Sequence, residues 1–310
     1  MTNHLRIRTV MAERGGAATA AELRSAVGHH RLEAAVRDGV ITRVGWGRYV
    51  SPSLTDHRRT AFALHGVTSH DSAAAQHGWS TKWQPKQPTV TVRPNRHLTP
   101  AQRRGATIAW QSLDPEDIVA GVTAPLRTVL DCALSMPFDE ALAIADSALR
   151  CGDVRPDELR DATVSGPGCV SARRVLELAD GRAANPLESV LRAIALGIPR
   201  LQVVPQVEYA GDDWYARVDL ADPSLGLVLE AEGFETHGTR GGFDRDCERY
   251  VNLVCDGLVV LRFTWTQVMH HPEWVRSRIL RTVARRTEAP ASWEDPMHRS
   301  RPESPEFRAS

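Results

Sequence analysis

Apolar positions in the first fifty residues recur at helical spacing and then switch to alternation. Leu5 to Glu13 reads as a short helix, Gly15 and Gly16 interrupt it, and Thr19-Ala-Ala-Glu22 has the capping-box spacing that opens a second helix with Leu23 and Val27 facing inward. After Gly28, His29 to Asp38 forms a third helix whose apolar stripe is Leu32 and Val36, and Gly39 stands where a C-terminal cap belongs. A hairpin follows: Val40 to Val44, a Gly45-Trp46-Gly47 tip, and Arg48 to Val50. Three helices and a two-stranded wing over residues 1–55 predict a winged helix-turn-helix.

The pattern then changes four times. Over 56–163, Ser69 reads as the N-cap of a helix holding Ala73 to Ala75, Thr89 to Arg93 and Ala106 to Trp110 alternate as strands, and Pro125 to Leu134 and Asp139 to Leu149 have helical spacing. These elements predict a small α/β domain. Residues 164–184 open with a Gly/Pro/Ser linker, Val164 to Gly168, and lead through a helix into a further domain over 185–286. There Pro186 to Leu196 is an amphipathic helix ended by Gly197. Three β-prone segments follow, Leu201–Tyr209, Trp214–Leu220 and Leu225–Glu232; then a helix from Phe243 to Cys255, then an apolar strand from Leu258 to Phe263. That last strand does not alternate, which fits the centre of a sheet covered on both faces. Residues 287–310 are rich in Pro, Glu, Ser and Arg without periodicity and are expected to be disordered. The fold class is α/β, in the multidomain α+β sense, and no internal repeat is present.

Composition narrows the class. At 310 residues the chain is long enough for two or three cores. No apolar run approaches the roughly 20 residues that cross a bilayer, and Met1 to Gly16 has no signal-peptide middle, so a cytoplasmic location without membrane partners is expected. Five scattered cysteines, with no C-x-x-C pair, suggest reduced thiols. The net charge is zero, so attraction to a polyanion must come from local patches. Such patches exist: Met1 to Thr60 holds ten Arg against five acids, and Ser72 to Leu113 holds six Lys or Arg and no acid. A winged helix lays its third helix in the major groove, which aims His29, His30, Arg31 and Arg37 at DNA while Arg43, Trp46 and Arg48 mark the wing. Winged helices also serve as protein-protein modules, and Arg31 and Arg37 also suit a solvated helix face.

The most informative chemistry lies in the carboxylates near the end of the chain. Along Leu225 to Glu232, a period of two puts Leu227, Leu229 and Ala231 on one face and Val228, Glu230 and Glu232 on the other. Asp222-Pro223-Ser224 is a turn signal, and a hairpin centred between Pro223 and Ser224 places Asp219 opposite Val228, one diagonal step from Glu230. Three acids on one face repel one another and call for a positive partner. Mg²⁺ held by one or two carboxylates and a substrate phosphate is one solution; a solvent-facing edge is the inert alternative. His237 lies within loop reach of the acids, Asp246 and Arg249 flank one helix face, and Arg262 follows in "VVLRF".

These residues carry two resemblances. Asp219, then "VLEAEGFETH", then "DCERYVNLVCDGLVVLRFTW", is similar over about 185–279 to the domain-of-unknown-function family numbered 559, a branch of the PD-(D/E)XK endonuclease-like superfamily related to very-short-patch repair endonucleases. The resemblance implies a restriction-endonuclease-like core of helix, three strands, helix and strand. Asp219 and Glu230 match its metal-binding acids, Glu232 the acid before glycine, His237 the following histidine, Asp246 and Arg249 its D-x-x-R helix, and Glu188 the acid of the first helix. The superfamily's usual Lys is Glu232 here, and no lysine occurs in this domain, which leaves the water-activating group open among His237, Glu232 and a second metal. In the first half, the wing with "SHDSAAAQHGW" and "TAPLRTVLDCA" resembles AbiEi-type antitoxins, which implies DNA binding, often autoregulatory, without catalysis. His70, Asp71 and His77 read there as capping and packing residues.

The combined expectation is a DNA-associated, Mg²⁺- or Mn²⁺-dependent endonuclease. Asp219, Glu230 and Glu232 are its metal ligands, His237 and Arg249 its proton-transfer and charge-offsetting groups, and His30, Arg31, Arg37, Arg43, Trp46 and Arg48 its DNA contacts. The alternative is a non-catalytic regulator or antitoxin with a toxin or regulatory partner. An RNA substrate and the oligomeric state stay open.

Overall fold

The computed structural model describes residues 4–233 and 240–288, the side chains of 240–243 excepted. His237 and the 289–310 part of the tail lie outside the described residues. The protein is mixed α/β and divides into two compact units, 1–181 and 182–310. Among the described residues no helix is long and apolar enough to cross a membrane.

The first unit opens with α1 (Leu5–Glu13), β1 (Ala17–Thr19), α2 (Ala20–Val27), α3 (His29–Arg37), β2 (Thr42–Gly45) and β3 (Arg48–Val50). The predicted capping box closes in full: Glu22 N donates to Thr19 Oγ1 at 3.4 Å and Thr19 N to Glu22 Oε2 at 2.7 Å. Ile7, Val10, Leu23, Leu32, Ala35 and Ile41 form one core beneath the three helices. The hairpin gains a third strand that alternation did not predict, because β1 pairs antiparallel with β3 from Ala17↔Val50 to Thr19↔Arg48.

Next come α4 (Asp56–Ala63), β4 (Val67–Thr68), α5 (His70–Gln76), β5 (Thr89–Val92), α6 (Pro100–Arg103), β6 (Thr107–Trp110), β7 (Ile118–Val119) and β8 (Val122–Thr123). Their five-stranded sheet runs β6-β5-β4-β8-β7. Strand β5, between β6 and β4, is buried on both sides. Val90 and Val92 pack in a core with Ala61 of α4 and Leu64 just past its end, while Thr89 Oγ1 donates to Asp71 and Thr91 Oγ1 to Ser69. Ser69 stands at the N-cap position of α5 but makes no side-chain capping bond; its hydroxyl accepts from β5 instead. His77 bonds the Thr123 carbonyl at 2.8 Å, which ties α5 to β8.

Helices α7 (Pro125–Ser135), α8 (Phe138–Cys151), α9 (Pro156–Asp161) and α10 (Cys169–Leu178) complete the unit. The chain was expected to leave this domain near Val164. Val164, Ala172, Val175 and Leu176 instead fill the same core as Val129, Ile144 and Ala148, so the apolar face of α10 holds the chain there until Gly181. The junction needs a glycine: Gly168 has φ +83°, and a Cβ on it would stand 2.1 Å from the Leu134 carbonyl oxygen.

The second unit comprises α11 (Pro186–Ala195), β9 (Val204–Ala210), β10 (Tyr215–Asp222), β11 (Leu227–Glu232), α12 (Arg240–Cys255), β12 (Val259–Thr264), α13 (Trp265–His270) and α14 (Pro272–Glu288). The sheet order is β12-β11-β10-β9: an antiparallel meander to which the α12 crossover adds β12 parallel to β11, so the strand expected at the sheet centre stands instead at its edge. One face carries Leu220, Leu227, Leu229 and Phe263 against Leu191, Ile279 and Val283 of α11 and α14. The other packs Val218, Ala221 and Val228 against Leu253 of α12. Thr287 and Glu288, expected in the tail, close α14, and the Thr287 hydroxyl bonds the Val283 carbonyl at 3.0 Å.

Replacing Gly168 by Ala is expected to destabilise the first unit by on the order of 3 kcal/mol, because a left-handed backbone and a backbone clash act together. Thermal unfolding of the full chain reads this as an earlier transition; a melting curve superimposable on wild type would refute it.

Candidate functional site

The turn between β10 and β11 decides where the acids meet. Pro223–Leu225 forms a short 3₁₀ turn that the Asp222 carboxylate caps by accepting from Leu225 N at 3.2 Å, and Gly226 follows with φ +55°. The turn is therefore centred one residue later than expected. The ladder pairs Leu220↔Leu229 and Asp222↔Leu227, which extends to Asp219 beside Glu230 rather than Val228. Shifting by two positions preserves the face. Alternation also slips within β10: Val218 and Ala221 belong to the same α12-facing cluster although three residues apart, while Leu220 faces α11. Gln206, at the β9 position across from Asp219, has φ +55°. Such slips re-aim side chains, and here one turns Asp219 toward the α12 face.

Asp219 and Glu230 are in hydrogen-bond contact there. Glu230 is only 3% exposed. Asp219 Oδ2 also accepts from Ala231 N at 2.8 Å, taking up a β11 amide. Across the face, Arg249 Nη1 stands 3.2 Å from Glu230 Oε1, and Arg249 Nη2 stands 3.8 Å from Asp246. At an effective dielectric of about 20, the Arg249 attraction is worth roughly 5 kcal/mol, and a charged Asp219 in contact repels by a similar amount. The burial penalty then decides the protonation state. Burial first and Asp219 second push Glu230 up to about 8, against the opposing pull of Arg249. Asp219 is raised as well, mainly by burial, with the Ala231 amide opposing. The two carboxyls hold one proton between them near neutral pH.

Glu232 points elsewhere. Its Oε1 accepts from Arg262 Nε at 2.6 Å and from the Tyr250 hydroxyl at 2.9 Å, and Arg249 Nη2 donates to that hydroxyl at 2.5 Å. Arg262 stacks 3.9 Å over the Tyr250 ring. Burial raises the Tyr250 phenol, which keeps it a proton donor to Glu232. Helical spacing assigns Tyr250 to the apolar stripe of α12, and nothing in the sequence points to its hydroxyl. Glu188 is buried at the start of α11, where its carboxylate accepts from Ala184 N, Asn185 Nδ2 and Gln206 Nε2 at 2.7 to 2.9 Å. It thereby ties α11 to the strand position facing Asp219. His237, the expected proton-transfer group, lies outside the described residues.

The donor set of Asp219 and Glu230 suits a hard divalent cation: two carboxylates in contact, with a proton that a cation would replace. Among the described residues no group of three His, Cys, Asp or Glu is placed to hold a metal, so water and phosphate oxygens would supply the other ligands.

In the first unit, His30, Arg31 and Arg37 lie exposed along α3, and Arg43 is exposed on β2. Trp46 projects from the hairpin tip, 91% exposed. A groove of about 530 Å³ between α2, α3 and the hairpin is lined by Arg24, His29, Arg43, Trp46 and Arg48 among others. Arg48 departs from the outward aim expected of it. Its Nη2 lies 2.7 Å from His65 Nδ1, and its guanidinium stacks 4.4 Å over Phe62. His65 and its neighbours Arg93, Arg96 and His97 were not among the sequence candidates, although the acid-free run from Ser72 to Leu113 contains three of them.

The raised Glu230 sets a direction for stability. Its folded-state pKa lies above the unfolded one, so the folded chain binds more protons between the usual glutamate range and about 8. That contribution is full below the unfolded value and is lost as pH rises through about 8. The melting temperature is expected to fall as pH rises from about 5 to about 8, and Glu230→Gln to flatten the fall; an equal slope in both proteins would contradict the shared proton.

No protein-family profile matches the chain. Two curated relatives, the uncharacterized proteins Rv2248 and MT2308 from two strains of Mycobacterium tuberculosis, are each 30% identical over 273 residues, covering 82% of this chain and 97% of theirs. The crystal structure of RV2827C protein from Mycobacterium tuberculosis aligns with 61% of this chain and 80% of its own at 12% identity and a TM-score of 0.31, too low to assign a fold. The chain belongs to the family of the two mycobacterial proteins that it matches over nearly their whole length.

Proposed function

We propose that this is a DNA-binding protein whose second unit is a Mg²⁺- or Mn²⁺-dependent, endonuclease-like phosphodiesterase. In this reading residues 1–55 act as a winged helix-turn-helix, 56–163 as an AbiEi-like middle domain, and 185–286 as a restriction-endonuclease-like core related to family 559. One observation carries it. Asp219 and Glu230 are held in contact on adjacent strands, where burial works against charging either one. Folding alone gains little from two carboxylates so placed, whereas acidic oxygens forced together form a ready binding place for a cation.

Asp219 and Glu230 would hold the ion through their carboxylate oxygens, and the ion when bound supplies Lewis-acid polarisation of the phosphate and a lower pKa for water. The other roles fall to the chain's own groups. Loading requires Asp219 and Glu230 to release their shared proton, so activity should rise with pH toward about 8. Arg249 balances Glu230 without the ion and is close enough to offset charge on a phosphate once the carboxylates are occupied. Tyr250 and Arg262 hold Glu232 at the rim and fix its direction.

A second reading has its own observation. Arg249 on Glu230 and Arg262 on Glu232 already place a cation against each glutamate, which suits a non-catalytic regulator or antitoxin that retains the scaffold and binds DNA or a protein partner.

Incubating the full-length protein with supercoiled plasmid and Mg²⁺ separates the two. The enzyme reading expects nicking or linearisation that Asp219→Asn and Glu230→Gln each lower by about a hundredfold or more. Inertness of wild type on plasmid, single-stranded, mismatched and RNA substrates, together with a footprint on its own promoter, would establish the regulator instead.

A further inference from the structure

We propose that Arg48, His65, Arg93, Arg96 and His97 form a docking site for the phosphate backbone of duplex DNA, beside the hairpin and apart from α3. The inference rests on the DNA-binding reading above and adds to Arg48, already among its contacts, a surface made by His65, Arg93, Arg96 and His97.

Among the described residues, these and Asn95 line a cavity of about 630 Å³, and none of the lining residues is acidic. The fold brings them together from distant parts of the chain. Arg48 stands on β3, His65 follows α4, and Arg93 to His97 form the loop between β5 and α6. Two contacts anchor that loop: Arg96 N donates to Arg93 O at 2.9 Å, and Trp110 Nε1 donates to Arg96 O at 3.1 Å. His65 holds a left-handed backbone, φ +58°, immediately past α4. Because an arginine can only donate, His65 Nδ1 must accept from Arg48 Nη2, which places the imidazole proton on Nε2 and locks the guanidinium beside the cavity.

Among the described residues no carboxylate forms an ion pair with Arg48, Arg93 or Arg96. The buried Nε groups of Arg48 and Arg96 find no hydrogen-bond partner among the described residues. The acid that bears on Arg48 electrostatically is Glu22, whose carboxylate is occupied by the α2 capping box and by Arg14 at 3.2 Å. Burial, then Arg96, weaken the proton affinity of Arg48; burial, then Arg48 and Arg96, do the same to His65. Cations collected at this cost mark a place that an anion relieves.

Size and continuity favour an extended polyanion over a lone phosphate. At about 30 Å³ per water, the cavity takes roughly twenty waters, far more space than one phosphate fills. Arg48 and His65 also line the groove beneath Arg43 and the exposed Trp46, so a backbone crossing the hairpin passes from one recess into the other. Arginine forks suit phosphate oxygens, and such contacts position a duplex without reading its sequence.

The test measures affinity of the full-length protein for a labelled 30-bp duplex across a salt series. Arg93→Gln/Arg96→Gln is expected to weaken binding about ten- to a hundredfold and to lower the slope of log Kd against log salt by about two. The matched control Arg160→Gln/Arg173→Gln removes two exposed arginines elsewhere in the same unit and is expected to leave the slope unchanged. Unaltered binding by the first variant, or equal losses in both, overturns the proposal alone. Absence of binding by wild type overturns it together with the DNA-binding reading. Imidazole NMR signals of His65 and His97 that saturate with inorganic phosphate but ignore the duplex would assign the cavity to a free anion and overturn the proposal as well.

Discussion

Every functional statement about the second unit depends on two carboxyls that burial and mutual repulsion keep from both being charged near neutral pH. Glu230 is buried, Asp219 touches it, and the nearby Arg249 balances only part of the cost. Leucine and valine fill the remaining faces of this sheet, and a hydrophobic pair of similar size would sit there at less cost. Retaining acids where packing disfavours them is a signature of a site rather than a core. The surrounding groups divide by role: Arg249 answers Glu230, Tyr250 and Arg262 hold Glu232, and Glu188 with Gln206 braces the strand across from Asp219.

Much of this was legible in the sequence because it rests on periodicity. The period of two put Glu230 and Glu232 on one face, whereas the apolar run after Gly257 suggested a central strand and β12 lies at the sheet edge, with Val259, Val260 and Leu261 only half-buried. The pairing register was not legible in the same way. A hairpin centred between Pro223 and Ser224 ignores the Asp222 side chain, whose bond to Leu225 N builds a longer turn and moves Asp219 from Val228 to Glu230. The slip at Asp219 left no trace in the alternation either, since Val218, Leu220 and Ala221 are apolar whichever face they occupy. Glu232 was grouped with the metal-binding acids on spacing, yet its direction is set by Tyr250, a residue that counts as apolar in any pattern of hydrophobicity.

In the first unit the local signals were strong and the long-range ones weak. Thr19 and Glu22 announce their capping box within four residues. The third strand, Ala17–Thr19, consists of small residues with no β signature and exists because Val50 and Tyr49 supply its partners. The meeting of Arg48 with His65, Arg93 and Arg96 depends on the packing of α4 between the hairpin and the five-stranded sheet, which no local motif encodes. Charge bookkeeping came closest: an acid-free stretch from Ser72 to Leu113 said that cations would collect, without saying where.

The central claim, a proton shared by Asp219 and Glu230 that a divalent cation displaces, is tested most directly by ¹³C-carboxyl NMR of the full chain, with Glu230 assigned through Glu230→Gln. The account requires a Glu230 carboxyl that titrates near 8 and whose midpoint falls when Mg²⁺ is added. A midpoint in the ordinary glutamate range, indifferent to Mg²⁺, would contradict it.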